Sequence, residues 1–249
     1  KLTENDLLLV HNSLGYENDS WIQQIQAKKV LVYHNITPPQ YLPNNELPAL
    51  STLGRKQLRS WSSDYLGAIG DSEFNSEELL TAGYSNVKTI PLLVDIERIY
   101  ATTCNADYLK QWENSYNILF VGRFCEHKKQ LELIRMFQHL KQFVTTEIKL
   151  ILVGGVTSDA YFSQIKEYVI EHGLQEQVII TGKVTDEQLA ALYRSADVYV
   201  SLSEHEGFGM PLLEAMLYDI PVIAKEYAAI AATLGVGGIL LSEESSIED

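Results

Sequence analysis

The sequence contains little cysteine. Only Cys104 and Cys125 occur among its 249 residues, and neither lies in a CxxC motif or a Cys/His cluster. Two cysteines are too few for a disulfide framework, and their isolation argues against a structural zinc site. The low count is typical of a protein that works in a reducing compartment. We therefore expect a cytoplasmic location and no bound metal.

Long apolar runs are absent, and positive charge is scarce. No run approaches the ~18 apolar residues of a membrane-spanning helix, and the first six residues lack the apolar core of a signal peptide. The 19 Lys and Arg residues stand against 33 Asp and Glu, a net charge of −14. This balance argues against nucleic-acid partners and against a broad electrostatic attachment to anionic lipid, although a local basic cluster could still bind a phosphate.

What the sequence does contain is a regular alternation of short apolar runs with amphipathic stretches. The alternation predicts strands at 6–11, 29–34, 65–69, 87–90, 116–121, 148–153, 178–181, 198–201 and 221–224. It predicts helices at 20–27, 51–60, 76–82, 130–143, 160–172, 186–195 and 211–218. Apolar strands interleaved with helices indicate an α/β fold, with parallel sheets covered on both faces and right-handed crossovers. Ligands of such folds bind at the carboxyl ends of the strands.

One stretch interrupts this alternation. Residues 96–113 show weak periodicity and no strong strand, which is typical of a connection between domains. We therefore predict a first domain at 1–95, a linker at 96–115 and a second domain at 116–249. A chain of this length accommodates two domains of ordinary size.

The strongest motif is the stretch 206–214, which reads EGFGMPLLE. It follows a predicted strand, and Pro211 suits the first turn of the next helix because its missing N–H needs no partner there. The glycines allow close backbone approach, and a helix start favours an anion. Glu206 and Glu214 can each hold a vicinal diol, so the pattern suits a ligand with sugar, diphosphate and ribose in succession. Alternatively, Glu214 only complements the helix dipole and Glu206 is a solvated loop residue.

A second motif, VGRFCEHKK at 121–129, also follows a predicted strand. Arg123 and Lys129 could converge there on a diphosphate, Arg as a planar fork and Lys as a movable point charge. A solvated basic loop before a helix would have the same composition. The position at the same sheet edge as the first motif favours the binding interpretation.

These two motifs resemble glycosyltransferase family 4, whose members are retaining enzymes of the GT-B architecture. Glu206 and Glu214 match the family's Glu-x7-Glu motif, and Arg123 and Lys129 its phosphate-binding residues. The resemblance extends over most of the second domain, through the stretches at 154–155, 182–184, 193–198 and 220–224. It implies two Rossmann-like domains with parallel sheets.

The resemblance also implies roles for individual residues of the second domain. Arg123 and Lys129 would neutralise the leaving nucleoside diphosphate, Glu206 would face the transferred sugar, and Glu214 would hold the ribose. The turn of Gly207, Phe208, Gly209 and Met210 would supply backbone N–H groups. The backbone at Lys183 and Val184 would lie against the base.

The first domain carries a weaker part of the same resemblance, in the stretches YHNITPP at 33–39 and GDSE at 70–73. His34 matches a family histidine that contacts the donor sugar near the reacting carbon, although a strand-end histidine bonded to backbone would look the same. His11, at the end of the neighbouring strand, is a second histidine that would face the acceptor.

Two features depart from the family pattern. The usual Asn-Gly-Val-Asp before the linker is replaced by Leu92, Leu93, Val94 and Asp95. The chain also begins on a strand without a preceding glycine-rich turn, and it ends before the family's closing helices. We therefore expect a fragment with an incomplete first domain, and such a fragment need not itself be active.

The resemblance predicts a hexosyl transfer from a UDP- or GDP-sugar to a hydroxyl of a saccharide or glycolipid, without a cofactor or metal. Polysaccharide or glycoconjugate synthesis is the expected setting, with association at the inner face of the cell membrane through segments outside this chain. Two rivals stay open: an epimerase or phosphorylase on a similar fold, and a non-catalytic nucleotide-sugar-binding module or partner subunit.

Overall fold

The computed structural model describes residues 2–43 and 45–246, so the outermost residues of the predicted domains 1–95 and 116–249 lie outside the described part. The chain divides into two compact units, Lys1–Leu93 and Val94–Asp249. Each unit has a parallel sheet and its own buried apolar clusters. The predicted fold class, α/β with two Rossmann-like domains, is confirmed.

The first unit is built on a four-stranded parallel sheet in the order β1-β2-β3-β4. The strands are β1 (Leu7–Asn12), β2 (Lys28–Tyr33), β3 (Gly67–Gly70) and β4 (Val87–Thr89), and the helices are α1 (Ser20–Gln23), α2 (Leu47–Ser60) and α3 (Glu73–Ala82). A 3₁₀ turn covers Pro39–Tyr41. Apolar side chains of the sheet, among them Leu31 and Tyr33, pack with Leu58 of α2 and Leu79 of α3 in one buried cluster.

Two helix starts in this unit differ from the prediction. Helix α3 begins at Glu73 rather than at residue 76, because the Ser72 side chain accepts a hydrogen bond from the Asn75 backbone N–H at 3.1 Å. Ser76 lies inside the helix, and its hydroxyl is 2.8 Å from that of Thr89. Helix α2 begins at Leu47 rather than at residue 51, with a proline in its first turn.

The second unit contains a six-stranded parallel sheet in the order β10-β9-β8-β5-β6-β7. Its strands are β5 (Tyr116–Val121), β6 (Ile148–Val153), β7 (Val178–Gly182), β8 (Val198–Ser201), β9 (Val222–Lys225) and β10 (Gly238–Leu241). The chain proceeds outward from β5 to β7 and then returns to β8 on the other side of β5. This is the doubly wound order of dinucleotide-binding folds, with its switch point between β5 and β8.

Helices cover both faces of this sheet. They are α4 (Ile96–Ala101), α5 (Ala106–Lys110), α6 (Gln130–Leu140), α7 (Asp159–Glu171), α8 (Asp186–Ser195), α9 (Met210–Leu217) and α10 (Ile230–Leu234). Side chains of α6 and α7 pack on alternate residues of β5 and β6, and those of α8 and α9 pack on the opposite residues. The central strands β5 and β6 are therefore buried almost throughout, as their continuous apolar runs predict, whereas the edge strand β10 is mostly exposed.

Residues 96–115, which the sequence analysis assigns to a linker, belong to the second unit. They contain α4 and α5, which are capped by the side chains of Asp95 and Asn105. Helix α4 is held to α8 by an ion pair of Arg98 with Asp186 at 2.9 Å, and the Asn105 N–H donates to the Glu187 carbonyl. The weak periodicity of this stretch reflects two helices that are short and mostly exposed.

Candidate active site

The loops after β5 and β8 flank the switch point of the second sheet. One backbone hydrogen bond joins the loops, since the Glu204 N–H donates to the His127 carbonyl at 2.8 Å. The strands themselves are joined by the Tyr199 side chain of β8, whose hydroxyl donates to the Val121 carbonyl of β5 at 3.3 Å. The crevice outside the carboxyl ends of such strands is where doubly wound folds bind ligands. Both sequence motifs therefore meet at one place.

Glu206 forms an ion pair across this crevice with Lys128. Their side chains are only 14% and 11% exposed, and the Lys128 ammonium also donates to the His205 carbonyl at 3.4 Å. The Glu206 carbonyl accepts from the Ala229 N–H at 3.2 Å, which anchors the loop at its other end. A nearly buried charge pair of this kind is poorly screened by water, so an anionic ligand would compete with Glu206 for Lys128.

Lys129, the lysine that matches the family motif, pairs with a different carboxylate from Lys128. Its ammonium pairs with Glu204 at 2.9 Å, and the two side chains line a pocket of about 250 Å³ together with Lys225 and Tyr227. Its backbone has a φ of 54° at the start of α6, a conformation that residues other than glycine rarely adopt. The positive φ turns the chain so that the two adjacent lysines pair with different carboxylates.

Arg123 lies in the loop after β5 with an exposed side chain. Its carbonyl accepts a hydrogen bond from the buried Gln130 side chain at 2.8 Å, which fixes the loop to the start of α6. Gly154 packs against the same loop, since a Cβ there would lie 2.0 Å from the Gly122 carbonyl oxygen. The loop backbone is thus fixed by Gln130 and Gly154, while the exposed Arg123 guanidinium can reach a ligand.

The glycine-rich turn of the first motif leads directly into α9. Gly209 has a φ of 87°, and no side chain caps the helix it precedes. The Thr233 hydroxyl of α10 donates to the Phe208 carbonyl, which holds the turn from behind. Pro211 has no N–H, and the Leu212 N–H donates to the Gly209 carbonyl at 3.0 Å, so the Met210 N–H is the group that this helix start offers to an anion.

Glu214 lies one turn into α9 and is bound by a tyrosine. The buried Tyr193 hydroxyl donates to Glu214 Oε2 at 2.7 Å, and the Tyr193 ring stacks on Tyr218. Burial raises the pKa of the Glu214 carboxyl above its usual value, and the hydrogen bond from Tyr193 lowers it in part. The carboxylate is therefore fixed through one oxygen, and its second oxygen remains for a ligand.

Lys183 and Val184 follow β7, at the far end of the sheet order from β10. The exposed Lys183 side chain lies over Gly155, where a Cβ would be 2.6 Å from Lys183 Cε. Val184 packs against the buried cluster that includes Tyr193. The structure thus places these two residues at the carboxyl edge as well, beside the loop after β6.

In the first unit, His34 lies at the carboxyl end of β2 and is bonded on both ring nitrogens. His34 Nδ1 is 3.1 Å from Asp71 Oδ2, and His34 Nε2 is 2.8 Å from His11 Nδ1. The alternative of a histidine bonded to backbone therefore does not hold for its side chain. The two ring planes are nearly parallel, at 12° to one another, and the ring centroids are 5.1 Å apart.

Sequence reasoning did not single out four of these residues. Lys128 is adjacent to Lys129, and only Lys129 matches the family's phosphate-binding lysine. Glu204 lies just outside the nine-residue motif. Tyr193 and Asp71 occur in stretches that carry the family resemblance, yet nothing in their spacing identifies the partners of Glu214 and His34. Only the conformation of Lys129 distinguishes the two lysines.

Three further observations concern the rest of the molecule. Among the described residues, no group of three or more His, Cys, Asp or Glu side chains is placed to hold a metal ion. Within residues 2–43 and 45–246, every helix is too short or too polar to span a bilayer. A groove of about 900 Å³ in the second unit is lined by apolar side chains such as Met136 and Phe143, and Met136 also lines the smaller pocket of Lys129 and Glu204.

Comparison with known proteins identifies the family of this chain. The profile of the family "Glycosyl transferases group 1" matches residues 108–248. The chain belongs to this family of glycosyltransferases.

Individual relatives are more distant. The chain is 28% identical over 183 residues to phosphatidyl-myo-inositol mannosyltransferase of Mycobacterium leprae, which covers 73% of this chain and 46% of that protein. It is 23% identical over 236 residues to N-acetyl-alpha-D-glucosaminyl L-malate synthase of Bacillus anthracis, covering 93% and 59%. Among solved structures, Anabaena HepE in complex with UDP and glucose has a TM-score of 0.71 at 23% identity, covering 89% and 60%. The chain spans about half the length of these relatives.

Proposed function

We propose that this chain is the core of an enzyme that transfers a hexosyl group from a UDP- or GDP-sugar to a hydroxyl. The observation that carries the proposal is the ion pair of Lys128 with Glu206 at the switch point of the second sheet. A cation for the diphosphate and a carboxylate for the sugar hydroxyls are adjacent there. Binding of a donor would separate the two side chains and give each a ligand group of matching chemistry.

The other residues of this edge fit the same ligand. Arg123 and the start of α9 would bind the diphosphate, Glu214 the ribose, and Lys183 and Val184 the base. Lys129, which the sequence motif also assigns to the phosphates, would have to leave Glu204 to reach them, so we assign the larger share of that role to Lys128. For His34, in the first unit, the proposal keeps the catalytic role that the family resemblance implies.

The chemistry follows from the charge that develops during transfer. As the bond from the anomeric carbon to the diphosphate breaks, negative charge grows on the leaving oxygen. Cations and helix N–H groups already in place stabilise that charge without reorganisation, and one such donor contributes roughly 10²–10³-fold in rate. The proposal includes retention at the anomeric carbon and no requirement for a metal ion, because cationic side chains supply the stabilisation.

Relatives support the substrate class. HepE was solved with UDP and glucose, and the relative from Mycobacterium leprae is named as a mannosyltransferase acting on phosphatidyl-myo-inositol. We infer a saccharide or glycolipid acceptor for this protein as well. A glycolipid acceptor would place the protein at the inner face of the cell membrane, and glycoconjugate or polysaccharide synthesis is the corresponding setting.

The test compares the two adjacent lysines. We expect Lys128→Met to weaken UDP or GDP binding by about 10- to 100-fold, the effect of one charge-assisted contact, and Lys129→Met to weaken it much less. Isothermal titration calorimetry gives both dissociation constants. Lys128→Met leaves the Glu206 carboxylate without its ion-pair partner, which should lower the stability of the fold. The double variant Lys128→Met/Glu206→Gln removes that charge, so it should regain stability but still bind nucleotide weakly.

Turnover is tested separately by incubating the protein with UDP- and GDP-sugars and saccharide or glycolipid acceptors, with and without EDTA. We expect a product with retained anomeric configuration by NMR, in equal yield with EDTA. If the protein binds nucleotide but transfers no sugar, and if Glu206→Gln does not change the binding, the protein is a binding module instead.

A further inference from the structure

Two buried histidines directly precede the two members of the ion pair of Lys128 with Glu206. His127 comes before Lys128 within a 3₁₀ turn that covers Glu126–Lys128, and His205 comes before Glu206 in the loop after β8. The two histidines are only 4% and 6% exposed. The proposed function gives neither of them a role, although both lie beside the groups that it assigns to the ligand.

The two imidazole rings lie edge to face. Their centroids are 6.3 Å apart and their planes are at 75° to one another, which is a favourable arrangement for an aromatic pair. The His127 ring also contacts the buried Cys125, whose Sγ is 3.6 Å from His127 Nε2. The pair of rings therefore joins the loop after β5 to the loop after β8 through side chains that are almost inaccessible to solvent.

The backbones of the same two histidines accept hydrogen bonds between these loops. The His127 carbonyl accepts from the Glu204 N–H at 2.8 Å, and the His205 carbonyl accepts from the Lys128 ammonium at 3.4 Å. The ammonium thus has two acceptors on the loop after β8, the His205 carbonyl and the Glu206 carboxylate. Because an ammonium has three N–H donors, these two acceptors leave one donor for a phosphate oxygen.

The two acceptors differ in what a ligand does to them. In the proposed function, the donor separates Lys128 from the Glu206 side chain. The His205 carbonyl belongs to the backbone, and the buried ring of the same residue holds that backbone in place. The carbonyl therefore remains an acceptor for Lys128 when the carboxylate leaves. A lysine that is oriented in advance loses less side-chain freedom when it binds a ligand.

We propose that His127 and His205 are positioning residues, and that the contact of their rings holds the His205 carbonyl where it orients the Lys128 ammonium for the diphosphate. The inference rests on the proposed function, from which it takes the ligand and the role of Lys128. The histidines act through Lys128 and not by touching the ligand. Removal of either ring should therefore weaken nucleotide binding only while Lys128 is present.

The test is a double-variant cycle on nucleotide affinity. His205→Ala removes one ring of the pair, and we expect it to weaken UDP or GDP binding by about 10-fold, the low end of the effect of one charge-assisted contact. In the Lys128→Met background the same substitution should cause no further loss, because the group through which His205 acts is already absent. Isothermal titration calorimetry gives the four dissociation constants.

Stability measurements distinguish this role from a purely structural one. Removal of a buried ring also lowers the stability of the fold, and that loss should be the same with Lys128 or Met at position 128. The matched control is Ile165→Ala in α7, a buried side chain outside the site, which should lower stability and leave affinity unchanged. His127→Ala removes the other ring and should weaken binding as His205→Ala does, so it replaces His205→Ala in the cycle if that variant does not fold.

The outcomes keep the two proposals apart. If Lys128→Met weakens binding but neither histidine variant does, the positioning role is overturned and the proposed function stands. An equal loss from His205→Ala in both backgrounds also overturns the positioning role, since His205 would then act independently of Lys128. If the unaltered protein binds neither UDP nor GDP, the proposed function fails and the positioning role fails with it.

Discussion

At the residue scale, Lys129 shows how one backbone angle can give two adjacent lysines different carboxylate partners. Its φ of 54° lies in the left-handed region, which costs an L residue about 1–2 kcal/mol. Strained residues of this kind concentrate at functional sites. Here the strained residue separates Lys128, which contacts Glu206, from the ion pair of Lys129 with Glu204.

The strain at Lys129 can be measured with two substitutions. Lys129→Gly and Lys129→Ala both remove the ion pair with Glu204, but only glycine relieves the backbone. We expect the glycine variant to be more stable than the alanine variant by about 1 kcal/mol, measured by urea denaturation. Equal stability of the two variants would show that the positive φ carries no strain.

Burial raises the pKa of the Glu214 carboxyl, and the hydrogen bond from Tyr193 offsets part of this effect. If the ionised carboxylate holds the ribose, as we propose, nucleotide affinity should fall as the pH drops through the raised pKa of Glu214. Tyr193→Phe removes the hydrogen bond that lowers this pKa, and the loss of affinity should therefore begin at a higher pH. Nucleotide dissociation constants measured across the acidic range test this, with Tyr218→Phe as a control that removes a neighbouring hydroxyl.

The same shift has a consequence for stability. Glu214 holds its proton more tightly in the folded chain than in the unfolded chain, because burial raises its pKa. Its contribution to stability is therefore present below the usual carboxyl pKa and is lost as the pH rises through the raised value. At neutral pH the ionised Glu214 therefore lowers the stability of the fold, a cost that is typical of a group kept for ligand binding.

At the scale of elements, the start of α9 depends on Gly209. Its φ is 87°, and a Cβ at this position would lie 2.9 Å from Leu212 Cδ1. Gly173 at the end of α7 has a φ of 64° with open space around it. The two glycines share the conformational requirement, but only Gly209 lies in the candidate site.

This contrast gives a matched pair of substitutions. Gly209→Ala and Gly173→Ala should each destabilise the protein by about 1–2 kcal/mol because alanine is strained at positive φ. Only Gly209→Ala should also weaken UDP or GDP binding, since it displaces the turn that faces the diphosphate. Urea denaturation and calorimetry measure the two effects, and an equal effect of both variants on binding would contradict the assigned role of the turn.

At the scale of the whole molecule, the two units have separate cores and separate sheets. All residues that we assign to the nucleotide lie in the unit Val94–Asp249. This unit is of ordinary domain size and contains the complete six-stranded sheet.

We therefore expect residues 94–249, produced alone, to unfold cooperatively and to bind UDP or GDP as the full chain does. Nucleotide at 100 times its dissociation constant should stabilise this unit by about 2.7 kcal/mol, and Glu214→Ala should reduce the effect. Residues 1–93 should show no such stabilisation. Thermal unfolding of each fragment, monitored by circular dichroism, tests both expectations. Stabilisation of residues 1–93 by nucleotide, rather than of residues 94–249, would contradict the assignment of the nucleotide site to the second unit.

The sequence by itself determined the alternation of strands and helices, the α/β class and the two motifs at the strand ends, because apolar runs and glycine-proline signals are local. It also determined the family, through residues that keep a fixed spacing within one loop. The tertiary structure alone decided which groups touch. The two lysines pair with different carboxylates on either side of the positive φ at Lys129. The bond of Tyr193 to Glu214 joins two helices, and the contacts of His34 with Asp71 and His11 join the ends of three strands. Such contacts arise from packing between distant segments, and no spacing along the chain specifies them.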